Sequence, residues 1–171
     1  MRLKYRPMMA EEFTLLIEKK ALEGYITDIE VYKNEFIKQS RGKTPREFAE
    51  EQFKQILPLG VSTPNNYFWF AINEKTNEEI GYIWFTIMPE KKLSLLSYIL
   101  VYKQFQGQGF GTEMLTYWEH YVKRSYPELD GVYLHVFKHN PRAKQLYERI
   151  GFSLLHESFE GWNMIKKFQR D

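Results

Sequence analysis

The fold class this sequence predicts is a single α/β (α+β) domain built on a mixed central sheet, and three features of its patterning predict it. The first third carries apolar residues at helical spacing. The middle carries short runs rich in β-branched and aromatic residues, and the last third alternates such runs with amphipathic helices. No repeat, low-complexity stretch or linker divides the chain, so residues 1–171 read as one domain.

Residues 2–7 alternate weakly and read as a short first strand. From Ala10 to about Gly24, Phe13, Leu16, Ile17, Ala21 and Leu22 recur at helical spacing. A second helix is expected over Asp28 to Lys38, with Ile29, Tyr32, Phe36 and Ile37 on one side. Residues 40–43 form a loop. Thr44-Pro45-Arg46-Glu47 then opens a third helix, with threonine as cap, proline at the first position and glutamate completing a capping box. It stops at about Leu57, before Pro58. Tyr67 to Asn73 and Ile80 to Met88 read as a hairpin, and Leu93 to Tyr102 as a third central strand. A helix follows from about Gly109 to Tyr126, with Phe110, Met114, Leu115, Trp118, Tyr121 and Val122 on its apolar face. Val132 to Phe137 is a strand, and Asn140-Pro141 caps and opens a helix that ends at Gly151. Phe152 to Phe159 and Trp162 to Phe168 close the sheet. The expected sheet has about six to seven strands flanked by helices.

Composition narrows the function classes. Hydrophobic residues make up 43% and charged ones 27%, which is globular composition. A formal net charge of +2, spread along the chain, gives no reason to expect nucleic acid as a partner. There is no cysteine, so disulfides, a thiolate nucleophile and cysteine-ligated metal are out. His120, His135, His139 and His156 lack metal-site spacing, and no metal is expected. No apolar run approaches the roughly 18 residues of a membrane span, and the first residues lack a signal-peptide core. A cytoplasmic protein with no membrane partner is the expectation.

The stretch that carries chemistry is Val101-Tyr102-Lys103-Gln104-Phe105-Gln106-Gly107-Gln108-Gly109-Phe110-Gly111-Thr112. A strand ends in glycines and turns directly into an amphipathic helix. Glycines allow close backbone approach, several amides converge, and the helix start adds partial positive charge. Such a place binds phosphate or diphosphate. The P-loop pattern fails for want of a lysine after the glycines, and the dinucleotide pattern fails on spacing and position in the chain. A glycine turn without a ligand is the plain alternative.

A second segment changes the balance: Leu134-His135-Val136-Phe137-Lys138-His139-Asn140-Pro141-Arg142-Ala143-Lys144-Gln145-Leu146-Tyr147-Glu148-Arg149-Ile150-Gly151-Phe152. Together the two segments resemble the GNAT superfamily of acyl-CoA-dependent N-acetyltransferases. Its signature [QR]-x-x-G-x-[GA] is matched by Gln106, Gly109 and Gly111. A strand followed by N-x-x-A-x-x-L-Y-x-x-x-G-F is matched at Asn140, Ala143, Leu146, Tyr147, Gly151 and Phe152. The amino-terminal helices look like those of small bacterial members.

The resemblance implies a CoA-binding core at about 93–152 with two parallel central strands that splay apart around the pantetheine arm. Acetyl-CoA is the implied co-substrate. Ile99, Leu100 and Val101 would line the arm, with backbone groups of Ile99 and Val101 bonding it. Gln106 and the amides of Gly107, Gln108, Gly109, Phe110, Gly111 and Thr112 would hold the diphosphate, and Asn140 would contact the pantetheine or acetyl region. For Asn140, helix capping is the structural alternative. Tyr147 matches the tyrosine that protonates the departing thiolate, against the alternative of a core tyrosine. Arg142 and Lys144 could pair with the 3′-phosphate or simply face solvent.

Family members often draw the base from a glutamate on one of the splayed strands, and Leu93–Tyr102 carries no carboxylate. His135 stands where some relatives place the acid, and imidazole suits a base near neutral pH. Tyr98, Glu113 or a water relay remain open. Without cysteine, direct attack in a ternary complex is expected. The acceptor is a small-molecule amine or a protein amino group, met by carboxylates such as Glu18, Glu23, Asp28, Glu30, Glu157 and Glu160, which equally suit a solvated surface. The resemblance leaves room for a homodimer. A CoA-binding sensor without catalysis is the alternative function, and a nucleotide-dependent enzyme a third.

Overall fold

The computed structural model describes residues 2–169, so residues 1, 170 and 171 of the expected domain lie outside the described residues. The chain forms two compact units. One is Met8–Pro64; the other joins the residues up to Pro7 with those from Asn65 onward.

The Met8–Pro64 unit is helical. α1 (Ala10–Phe13) runs without a break through a wider π-helical stretch, Thr14–Ala21, into α2 (Leu22–Glu30). Phe13, Leu16, Ile17, Ala21, Ile26 and Ile29 are buried along it. The sequence pattern suggests an end at Gly24 and a fresh start at Asp28. The chain instead crosses Gly24, because one glycine costs only about 1 kcal/mol in a helix and the apolar stripe continues through Ile26 and Ile29. The break comes at Tyr32, which leaves helical geometry (φ −113°, ψ 22°) before α3 (Lys33–Gln39). α4 (Pro45–Ile56) begins as its capping box requires. Thr44 accepts from the Glu47 amide, and the Glu47 carboxylate accepts from the Thr44 amide. Arg46 of α4 grips Glu23 of α2 through both guanidinium nitrogens at 2.8 and 3.0 Å, and Phe36 meets Phe48 edge-on.

The second unit is one seven-stranded sheet in the order β1-β2-β3-β4-β5-β7-β6. Its strands are β1 (Leu3–Pro7), β2 (Asn66–Asn73), β3 (Glu79–Met88), β4 (Leu93–Val101), β5 (Gly131–Phe137), β6 (Ser153–Glu157) and β7 (Gly161–Lys167). Among the described residues only β4 and β5 pair in parallel; every other neighbour is antiparallel. A parallel pair needs a crossover, and α5 (Phe110–Ser125) supplies it. Its stripe of Phe110, Met114, Leu115, Trp118 and Val122 packs with Phe85, Leu96, Val132, Leu134 and Val136 in one core. α6 (Pro141–Arg149) joins that core through Tyr147, which touches Phe152 edge-on at 5.9 Å. The mixed sheet, its parallel central pair and the flanking helices are as the sequence led one to expect.

Two irregularities coincide at the centre. Trp84 pairs with Tyr98 and Phe85 with Leu96, so Ser97 is an extra residue that bulges from β4. At the same level the parallel ladder stops: Leu93–Leu96 pair with Gly131–Leu134 and no further. β4 runs on to Val101 and β5 to Phe137 without meeting.

Candidate active site

The slot left by that ladder is bounded by residues 97–101 on one side and 135–137 on the other. On its outer side β4 stays paired with β3, through Ile99 to Ile83, Leu100 to Tyr82 and Val101 to Gly81. Ile99 and Val101 pack against the core beneath. The edges of Ile99, Leu100 and Val101 turned toward β5 therefore have no strand beside them. Backbone groups so placed seek a hydrogen-bonding partner of another kind.

Beyond Val101 the chain makes a short 3₁₀ turn, Lys103–Phe105, and enters the glycine loop. Gly107 and Gly109 both sit in the left-handed region, at φ 76° and 85°, where a side chain would be strained. Gly109 caps α5, and the first amide of that helix to find a backbone carbonyl is that of Glu113, which donates to Gly109 over 3.1 Å. The amides of Phe110, Gly111 and Thr112 are the leading N–H groups that a helix leaves unmatched. Together with the helix dipole they favour an anion beside the loop. The Gln106 side-chain amide donates to the Val101 carbonyl at 3.0 Å and folds the loop back on the strand end. Gln108 does the same toward Gln104.

The loop is also held from behind. Arg2, just before β1, donates from Nη2 to the Gln108 carbonyl at 3.1 Å and from Nε to Glu113 Oε2 at 3.0 Å. Its guanidinium lies 4.2 Å above the Phe110 ring. The other Glu113 oxygen accepts from the amides of Arg2 and Leu3. Glu113, one of the carboxylates considered as base, is thus committed to the edge of the sheet.

On the opposite wall, His135 is the first residue of β5 past the end of the ladder. Its side chain lies on the face away from Val132, Leu134 and Val136, is 28% exposed, and has Nε2 3.8 Å from Glu160 Oε1. Glu160 comes from the β6–β7 turn, and its other oxygen is buried with no hydrogen-bond partner among the described residues. Gly161 makes room for the pair: a Cβ there would stand 2.3 Å from His135 Nε2 and 2.5 Å from the Val136 carbonyl. Next to it, Asn163 accepts from the Tyr133 hydroxyl and meets His156 Nε2 at 2.9 Å. Lys138 is paired with Glu157 at 2.6 Å. Tyr98, another candidate base, is stacked on Tyr82 with centroids 5.8 Å apart.

α6 supplies the last two residues. The Asn140 side chain accepts from the Ala143 amide at 3.2 Å, so its carbonyl oxygen caps the helix. Tyr147 is buried, and burial pushes its phenol up to about 12. It stays protonated at any physiological pH, the state a proton donor needs. Lys144 pairs with Glu148 and lies over the Trp162 ring, which favours a surface role over a phosphate contact.

The structure brings the glycine loop to one end of the slot and His135 to its wall. Sequence reasoning missed Arg2 altogether and met Glu160 only as one of many acids. Neither sits in a motif, and both reach the site through pairings distant in sequence. Among the described residues there is no group of three or more His, Asp or Glu able to hold a metal ion, and no helix long and apolar enough to cross a membrane.

Comparison with known proteins agrees with this geometry. Residues 29–152 match the family model described as acetyltransferase (GNAT) family. Two uncharacterized N-acetyltransferases of Bacillus subtilis (strain 168) are similar: YycN, 28% identical over 107 residues, and YdgE, 29% identical over 111. The matches span 61% and 63% of this chain, and about two thirds of each relative's length, 66% and 68%. The crystal structure of YycN superposes with a TM-score of 0.75 at 24% identity, covering 98% of this chain and 99% of that one. A spermidine N-acetyltransferase from Vibrio cholerae, solved with CoA and spermine, gives 0.64 at 17% identity, with 97% and 95% covered.

Proposed function

Since the chain belongs to the acetyltransferase (GNAT) family, we propose that it is an N-acetyltransferase that moves the acetyl group of acetyl-CoA onto a primary amine, by direct attack within a ternary complex. The observation that carries this reading is the slot between β4 and β5, open from Leu96 and Leu134 onward, with a glycine loop and helix start at its end. An extended amide-bearing arm can bond the strand edge that β5 leaves unpaired, while its diphosphate meets the amides of residues 107–112. The acyl donor supplies an activated thioester carbonyl. The amine acceptor draws support from the spermidine acetyltransferase that shares the fold.

In the proposed chemistry every proton has a place. The ammonium acceptor gives up a proton to His135, its nitrogen bonds the carbonyl carbon, and the carbon–sulfur bond breaks. Tyr147 gives its proton to the departing sulfur, and a second proton leaves the nitrogen. The products are the acetamide, CoA thiol and one net proton, with Tyr147 reprotonated. Glu160 Oε1 stands 3.8 Å from His135 Nε2, beside the ring that takes the proton. Holding both reactants in the slot removes the entropic cost of their encounter.

Calorimetry with acetyl-CoA, followed by thiol release against a panel of primary amines that includes spermidine and spermine, tests the reading. Saturable binding and amine-dependent release support it, and absence of any affinity for the donor rejects it. Strand β4 carries no carboxylate, which is the one feature favouring a CoA-binding module without catalysis. Tight binding with no release on any amine would establish that alternative.

A further inference from the structure

We propose that Arg2 is a positioning residue for the acyl donor: it grips the back of the glycine loop and thereby aims the Gly109 amide at the diphosphate. The inference rests on the acyl-CoA reading above and adds to it a residue outside both motifs.

The geometry is specific. In a trans peptide the carbonyl of one residue and the amide hydrogen of the next point in opposite directions, and none of the described peptide bonds is cis. The Gln108 carbonyl is held by Arg2 Nη2 at 3.1 Å. The Gly109 N–H must therefore point away from Arg2, on the side where the leading amides of α5 gather. Gly109, at φ 85°, belongs to the most permissive residue type of the chain, so without an anchor this peptide can rotate at little cost. Arg2 is itself anchored. Glu113 holds Nε and the Phe110 ring lies under the guanidinium, and both belong to the first turn of the helix whose start binds the anion. The planar fork that takes a carboxylate on one nitrogen and a carbonyl on another is particular to arginine.

The same contacts contribute little to stability. The Arg2 side chain is half exposed, and ion pairs open to solvent contribute little net stability. Loss of Arg2 is therefore expected to act on donor binding and leave the fold intact.

The experiment compares wild type, Arg2→Ala and Arg2→Met, the last keeping the unbranched aliphatic stem without the guanidinium. Dissociation constants for CoA come from calorimetry, and the Gly109 amide is followed by proton–nitrogen NMR during CoA addition. Both variants should bind CoA roughly tenfold more weakly, the loss of about one hydrogen bond to a charged group. The CoA-induced shift of the Gly109 amide should shrink with it, and in turnover the KM for acetyl-CoA should rise far more than kcat falls. Unchanged affinity overturns the inference. So does weakened affinity with a Gly109 amide that responds to CoA as in wild type, since a general loosening would not single out that group. Wild-type protein with no affinity for CoA would instead overturn the acyl-donor reading, and this one with it.

Discussion

The Trp118 indole N–H donates to Ser94 Oγ over 3.0 Å, with both side chains fully buried. It joins the helix that begins at the glycine loop to the strand that leads into it. Ser94 passes its own hydrogen to the Thr86 carbonyl, so the link reaches β3 as well. Ser94→Ala would leave a buried indole N–H without an acceptor, a loss of about 1–3 kcal/mol. Urea unfolding should show that loss with an unchanged m-value, and a variant as stable as wild type would mean the indole finds another acceptor.

Tyr147→Phe should lower turnover by about 10²- to 10⁴-fold, the usual worth of a positioned proton donor, while CoA affinity barely moves. Unchanged turnover would return Tyr147 to a purely structural role. Its raised pKa adds a stability signature. The folded state keeps the phenolic proton up to about pH 12, whereas an unfolded tyrosine releases it near 10. Its contribution is thus complete below pH 10 and is lost as pH climbs toward 12. Tyr147→Phe should lose less stability than wild type across that window.

Glu160→Gln, which removes the negative charge 3.8 Å from His135 Nε2, should lower kcat while leaving CoA affinity unchanged. His135→Asn should abolish the acidic limb of the kcat/KM profile along with most of the turnover. A limb that survives in His135→Asn belongs to another base, and an unchanged kcat in Glu160→Gln shows that the carboxylate does not act on His135.

The α4 capping box makes a pH-dependent prediction away from the site. The Thr44 amide and hydroxyl both donate to the Glu47 carboxylate and hold its pKa below the ordinary value. A depressed folded pKa contributes stability above the unfolded value, near 4.3, and that contribution fades as pH falls through the folded one. Glu47→Gln should therefore be less stable than wild type at pH 7, and the two should converge in acid. Thr44→Ala, which removes the other half of the box, should cost about 1 kcal/mol. Thermal unfolding at several pH values measures both.

Much of this is legible in the sequence because its causes are local. Glycines between a strand and a helix, the Thr44 box and the Asn140 cap each depend on a few adjacent residues, and all form as expected. The continuous first helix is harder to read across Gly24, since a lone glycine is a weak break whose outcome depends on the apolar stripe beyond it. The bulge at Ser97 leaves no mark at all: a single extra residue changes neither composition nor period. Arg2 and Glu160 are the instructive omissions. Arg2 lies 111 positions from its partner Glu113, and Glu160 meets His135 only because β7 inserts between β5 and β6.

The short parallel ladder has a mechanical consequence. Four residue pairs, Leu93–Gly131 to Leu96–Leu134, are what connect β1-β2-β3-β4 to β5-β7-β6 within the sheet. The sheet is thus two leaves stapled at one end, with the backbone bond from Asp130 to Lys92 just past the staple. Their free ends can open and close about it more cheaply than a fully laddered sheet could flex. A molecule bonded to both leaves would act as a second staple, slowing amide exchange in strands it never touches.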